Sequence, residues 1–168
     1  MTTQLSSTAP VVHEHNERLV RHVDRIPGVI DLMERGAIDE FRFALDETSD
    51  FLTDLLLPHM DAAERVVYPE LERMLQNRHS TAPLRREHDS IRSAVDDVSR
   101  LRAVADQEPL STNEKVALRR ILYRLYALLK IHMAEELLYA ELVEHGASPD
   151  AEEALAAAMA HGGTGRFE

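Results

Sequence analysis

From Val12 onward the apolar residues recur at intervals of three and four, and no stretch alternates with a period of two. That spacing turns one helical face inward and leaves no half-buried strand to place. In the first segment Val12, His15, Leu19, His22 with Val23, and Ile26 share a face, until Pro27-Gly28 interrupts it. A short extension follows to Arg35 before Gly36. The second segment, about residues 37–76, carries Phe41, Ala44, Leu45, Thr48, Leu52, Leu55, His59, Ala62 and Val66, with Leu71, Met74 and Leu75 further on. Pro58 and Pro69 lie inside it, and each deletes a backbone hydrogen bond and should bend the helix.

The third segment starts near Pro83, a favoured first-turn residue, and its face reads Leu84, His88, Ile91, Val95, Val98, with Arg102 and Ala105 closing it. The fourth opens after Pro109 on a capping box, Ser111 with Glu114 three residues on. Its face is Leu118, Ile121, Leu125, Leu128, His132, Glu136, Tyr139 and Val143, with Gly146 as the stop. A short helix is expected from Pro149 to Ala160, capped by Ser148, before a glycine-rich tail. With short linkers and 168 residues, the expectation is one all-α domain, an antiparallel up-down four-helix bundle over 11–146. Residues 1–10 are expected to be flexible, and 147–168 to form the short helix and tail.

Composition narrows the chemistry. The net charge is −11 and only Lys115 and Lys130 are lysines, so a nucleic-acid or anionic-membrane footprint is not expected. Cysteine is absent, which excludes disulfides, thiolate-bound zinc, iron–sulfur clusters and thiol catalysis. The N-terminal MTTQLSSTAP lacks the basic and apolar regions of a signal peptide, and no apolar run is long enough to span a bilayer, so a cytoplasmic location is expected. Neither a phosphate-cradling glycine loop nor a nucleophile–base pair stands out, which leaves conventional hydrolase or transferase chemistry without support.

What remains unusual is that each of the four helical faces carries a histidine where leucine would fit: His15, His59, His88 and His132. A buried imidazole has two ring nitrogens to satisfy, at a cost of about 1–3 kcal/mol for a polar group left without a partner. Any one of them is explained by a carbonyl or carboxylate in the core. Four meeting at mid-height form a polar knot that a metal ion would satisfy most simply. His132 and Glu136 are four residues apart, so imidazole and carboxylate project from one face about 6 Å apart. Mixed nitrogen and oxygen ligation suits iron and similar metals, and carboxylates can bridge two ions. Glu87 and Asp89 fall about 100° to either side of His88, which makes them surface or supporting groups.

The segment His59-Met60-Asp61-Ala62-Ala63-Glu64 echoes His132-Met133-Ala134-Glu135-Glu136. With Glu14-His15, Arg86-Glu87-His88 and the run from Glu64 to Pro69, these residues resemble the hemerythrin-like, HHE-type cation-binding domain over roughly residues 10–145. The resemblance implies a four-helix bundle around a non-haem di-iron centre, oxo- or hydroxo-bridged. Its ligands would come from His15, His59, His88, His132 and Glu136, with Glu64 as a further candidate. The iron assignment rests on the resemblance, since affinity order alone favours zinc over ferrous iron.

Two departures from the family pattern matter. The position four after His59 is Ala63, and the acid comes one later at Glu64, about 140° round from His59 in a regular helix. A π-type bulge would restore it. One turn before His88, where the two-histidine version of the family has an imidazole, this chain has Leu84. Tyr68 and Tyr139 lie at the same end of the bundle as the acids; either phenol could reach the site, although a buried core tyrosine is the reading expected first. His22 shares the face of His15 but lies about 10 Å towards the other end, which suits a core or second-site histidine. Fewer nitrogen and more oxygen donors than in an oxygen carrier should favour higher iron oxidation states. That implies binding or reduction of dioxygen, peroxide or nitric oxide, in oxidative or nitrosative stress. The alternatives are a redox- or iron-responsive sensor that meets a protein partner through its C-terminal segment, and a metal-free helical interaction protein.

Overall fold

In the computed structural model the backbone is described for residues 9–146 and the side chains for residues 15–139. Helices α1 (Ala9–Val23) and α2 (Ile26–Arg35) form the first column. The break between them is slight, because Asp24 N–H still bonds Val20 O at 2.9 Å and Gly28 N–H bonds Arg25 O at 3.0 Å. Pro27 occupies the first turn of α2, where its missing N–H has no partner to lose. Gly36 ends α2 in the left-handed region at φ 73°, and Ala37 N–H reaches back to Leu32 O at 3.2 Å. That is the six-to-one bond of a Schellman cap, a conformation glycine adopts without strain.

The second column comprises α3 (Ile38–Asp50), α4 (Leu57–Ala62) and α5 (Tyr68–Met74), joined without a break by π-helical stretches at Phe51–Leu56 and Ala63–Val67. Each π stretch ends just ahead of a proline. Leu57 N–H bonds Leu52 O and Tyr68 N–H bonds Ala63 O, both five residues back, and Pro58 and Pro69 follow immediately. A proline ring crowds the carbonyl four residues before it and offers it no N–H, so widening the turn relieves both problems at once. The two expected bends are therefore met by π turns that keep the column helical.

The third and fourth columns are α6 (Ala82–Gln107) and α7 (Thr112–Gly146). Pro83 lies in the first turn of α6. The capping box ahead of α7 forms, with Ser111 N–H donating to Glu114 Oε2 at 2.7 Å and Glu114 N–H donating to Ser111 Oγ at 3.3 Å. Among the described residues there is no strand, and no helix is long and apolar enough to cross a membrane. The short helix expected over 149–160 lies outside the described residues.

Two apolar clusters make the core. The larger joins Leu19, Ile30, Leu45, Leu52, Ile91, Val98 and Leu125 with their neighbours, and the smaller joins Ala63, Val67, Tyr68, Leu71 and Leu84. The buried face of α7 is set by Leu118, Leu122, Leu125 and Leu129, while Ile121 and Leu128 are only partly buried. The expected stripe was thus one residue off in two places, because α7 packs against α1, α2, α5 and α6 and its covered face is wide. His88 falls between Leu84 of the smaller cluster and Ile91 of the larger, so the histidines occupy the border between the two.

Candidate metal centre

His15, His59, His88 and His132 are all buried, none more than 6% exposed, and they lie in one continuous polar network. His88 Nε2 and His132 Nε2 face each other at 3.0 Å. Glu136 Oε1 lies 3.5 Å from His132 Nε2 and 3.7 Å from His88 Nε2. Its other oxygen, Oε2, is 2.8 Å from His59 Nε2, and His59 Nδ1 is 3.1 Å from His15 Nε2. Glu136 thus joins the His88–His132 pair to the His59–His15 pair, one oxygen to each side.

The outward ring nitrogens decide where the protons sit. His88 Nδ1 lies 2.6 Å from Glu64 Oε1, and His132 Nδ1 lies 2.9 Å from Glu87 Oε2. A carboxylate accepts, so each Nδ1 donates, and a neutral ring then presents a bare lone pair at Nε2. The two lone pairs and the carboxylate point at one another. His88, His132 and Glu136 offer three ligand atoms all within 4.8 Å of one another, the separation a single cation can bridge.

Electrostatics tell the same story. Burial works against the Glu136 carboxylate, but His59, His132 and His88 outweigh it and hold its pKa well below the usual range. Burial also works against a charged His132, yet Glu136 and Glu87 raise its pKa. The cluster calls for positive charge at its centre, which a proton or a metal ion can supply. His15 differs: burial, then His59 and Arg18, lower its pKa to about 3, so it is neutral at ordinary pH.

Tyr68 enters the site through the second π stretch. Nine residues past His59 would place it about 180° round in an unbroken α-helix, and the extra residue absorbed by the π turn brings that to about 80°. Its hydroxyl donates to Glu136 Oε1 at 2.9 Å and lies 3.0 Å from His88 Nε2. Burial and the Glu136 charge push the phenol far above its ordinary pKa, so it stays protonated, and the Arg85 guanidinium stacks over its ring at 5.3 Å.

Glu64 lies inside the π stretch. It holds His88 Nδ1 and pairs with Arg92 at 2.9 Å. The bulge thus brings Tyr68, rather than Glu64, to the inner side of the cluster. Ala63 and Leu84, the two positions that depart from the family pattern, pack together in the small apolar cluster with Tyr68, and Tyr139 packs against it from α7. His22 is half-buried and stacked on Phe51, ring centroids 4.9 Å apart. Arg18 was not singled out from the sequence, although it lies one turn after His15 on the same helix. Its Nη2 is 3.2 Å from His15 Nδ1.

The chain matches the hemerythrin HHE cation-binding domain over residues 8–142. It belongs to that family. No curated protein and no solved structure matches it. The donor chemistry of this hemerythrin-family chain fits the cation that the family's description names. Its buried imidazole lone pairs converge on a carboxylate, and their outer nitrogens are held by acids, as ligating histidines require.

Proposed function

We propose that this is a non-haem di-iron protein that binds or reduces dioxygen, peroxide or nitric oxide. The observation that carries the reading is the meeting of His88 Nε2, His132 Nε2 and Glu136 Oε1 with both Nδ1 atoms already committed to acids. One position would be held by His88, His132 and Glu136. The other would be held by His15 and His59, with Glu136 reaching both through its two oxygens. Glu64, the further candidate, serves here by holding His88 rather than by direct contact. When bound, the iron pair supplies redox electrons and open positions for a small ligand.

The chain's own residues set the conditions for that chemistry. Glu136 shares its charge between the two sides. Tyr68 keeps a phenolic proton 2.9 Å from Glu136 Oε1, at the edge of the cluster. Ala63, Val67, Leu71 and Leu84 seal that end with apolar surface and keep bulk water away. With Leu84 in place of a further imidazole, the site is poorer in nitrogen than an oxygen carrier, which favours turnover over reversible carriage.

The same reading takes the four columns as an antiparallel up-down bundle. Lys130 pairs with Asp24 and Arg119 with Glu34, while Arg102 pairs with Asp46 and His88 with Glu64. In each set the numbers rise on one column as they fall on the other, as antiparallel neighbours require. Incubating iron-loaded protein with peroxide or nitric oxide tests the function. Consumption of either supports it, and a stable, reversible O₂ adduct with neither consumed would sink it.

A further inference from the structure

Among the four buried histidines, His15 alone has a cation on its Nδ1. A guanidinium has donors and no acceptor, so Arg18 Nη2 donates to His15 Nδ1 at 3.2 Å and that nitrogen must carry the lone pair. The proton of a neutral His15 is then on Nε2, where it donates to His59 Nδ1 at 3.1 Å. His59 in turn carries its proton on Nε2 and donates it to Glu136 Oε2 at 2.8 Å. Arg18 at one end and the Glu136 carboxylate at the other therefore require the same direction for every hydrogen bond along this side. The inward nitrogens of His15 and His59 are N–H groups, whereas those of His88 and His132 are lone pairs.

A metal on the His15 side needs the opposite arrangement. His15 Nε2 must give up its proton, and Nδ1–H would then point at an N–H donor of Arg18. Acids take the place of Arg18 at His88 and His132, where the metal-binding tautomer is the one already favoured. The Nε of Arg18 is buried without a hydrogen-bond partner among the described residues, and its Nη2 meets His15.

Building on the metal reading above, we propose that Arg18 is a positioning residue that makes the two metal positions unequal. It holds His15 in the tautomer that cannot ligate through Nε2. The ion between His88, His132 and Glu136 binds first and tightly, and the ion at His15 and His59 binds second, has to displace the guanidinium, and is the first to leave when metal is scarce.

The test is anaerobic calorimetric titration of metal-free protein with ferrous iron, for the wild type, Arg18→Gln, Arg18→Met and Arg18→Lys. Glutamine can accept the Nδ1 proton, methionine only removes the donor, and lysine keeps one. The wild type should show two unequal events. Arg18→Gln should raise the affinity of the second by roughly 10- to 100-fold, the range seen for groups that orient metal-bound histidines, and leave the first unchanged. Arg18→Met should raise it less, and Arg18→Lys should behave like the wild type. Long-range ¹H–¹⁵N spectra of metal-free wild type need no variant and should place the His15 proton on Nε2. Two equal events in the wild type, a second event indifferent to residue 18, or a proton on His15 Nδ1 would each overturn the proposal while leaving the metal reading in place. Binding of no metal at any position would overturn both.

Discussion

His88 and His132 present their Nε2 atoms to each other at 3.0 Å while Glu64 and Glu87 hold the Nδ1 atoms behind them. This puts two acids behind the facing nitrogens, one on each ring. Replacing Glu87 with alanine frees His132 to rotate and to change tautomer, and should weaken metal binding roughly 10- to 100-fold. Glu64→Ala should do the same through His88, with Arg92 still anchored on Asp61 at 2.8 Å. Competition with a chelator measures both. Unchanged affinity in both variants would mean the carboxylates do not orient the rings.

Tyr68→Phe removes one hydroxyl from a buried site and leaves the ring in its apolar cluster. Glu136 Oε1 loses its phenolic donor, so the metal-free protein should be destabilised by about 1–3 kcal/mol, the usual cost of a buried group left unpaired. Urea denaturation reads this directly. An optical spectrum of the iron-loaded protein separates two roles for the phenol. A broad visible band lost in Tyr68→Phe means that it reaches the metal as tyrosinate, and an unchanged spectrum means that it serves Glu136 alone.

The acid side of the stability profile follows from His15. Its folded pKa is about 3 against an ordinary 6.5, so between those values the unfolded chain binds a proton that the folded one refuses. Stability of the metal-free protein should therefore fall as pH drops below 6.5. His22, lowered by burial and by Arg25, acts with the same sign. Glu136 and Glu64 lose their contribution only below 4.5, so the interval from 6.5 to 4.5 reports on the histidines. His132, with a raised pKa, contributes most below 6.5 and loses its contribution as pH rises above it. Denaturant titrations of wild type and His15→Asn across that interval should show a shallower slope in the variant. Equal slopes would remove His15 from the account.

The covered face of α7 makes a prediction of a different kind. Leu122 is fully buried and Ile121 only partly so. Leu122→Ala should cost about 2–5 kcal/mol, with Ile121→Ala costing clearly less. Thermal unfolding of the two variants checks the rotation of the helix, and the reverse order would refute it.

Helical periodicity made the four histidines and Glu136 readable in advance, because burial follows the three–four spacing and an imidazole in that stripe has nowhere else to point. The capping box at Ser111 and Glu114 was legible for the same local reason. What spacing could not supply was the outcome of the prolines. Regular-helix arithmetic puts Glu64 off the face of His59 and allows a bulge to bring it back. The bulge that forms ahead of Pro69 carries Tyr68 into the cluster and sends Glu64 to the outside of His88. Glu87 was expected as a surface or supporting group, but which ring it serves, and the part played by Arg18, escaped for another reason. Each acts on a ring nitrogen that faces away from the cluster, and only coordinates show which neighbour that nitrogen meets.

Elemental analysis of the purified protein, reconstituted anaerobically with ferrous iron and then oxidised, addresses the central claim most directly. The expected result is about two irons per chain, as for carboxylate-bridged pairs in helical bundles, with near-ultraviolet absorption from an oxo bridge. His132→Ala should abolish tight binding at the His88 side. A wild-type chain that retains no metal after reconstitution would contradict the account and leave the four histidines as hydrogen-bonded members of a polar core.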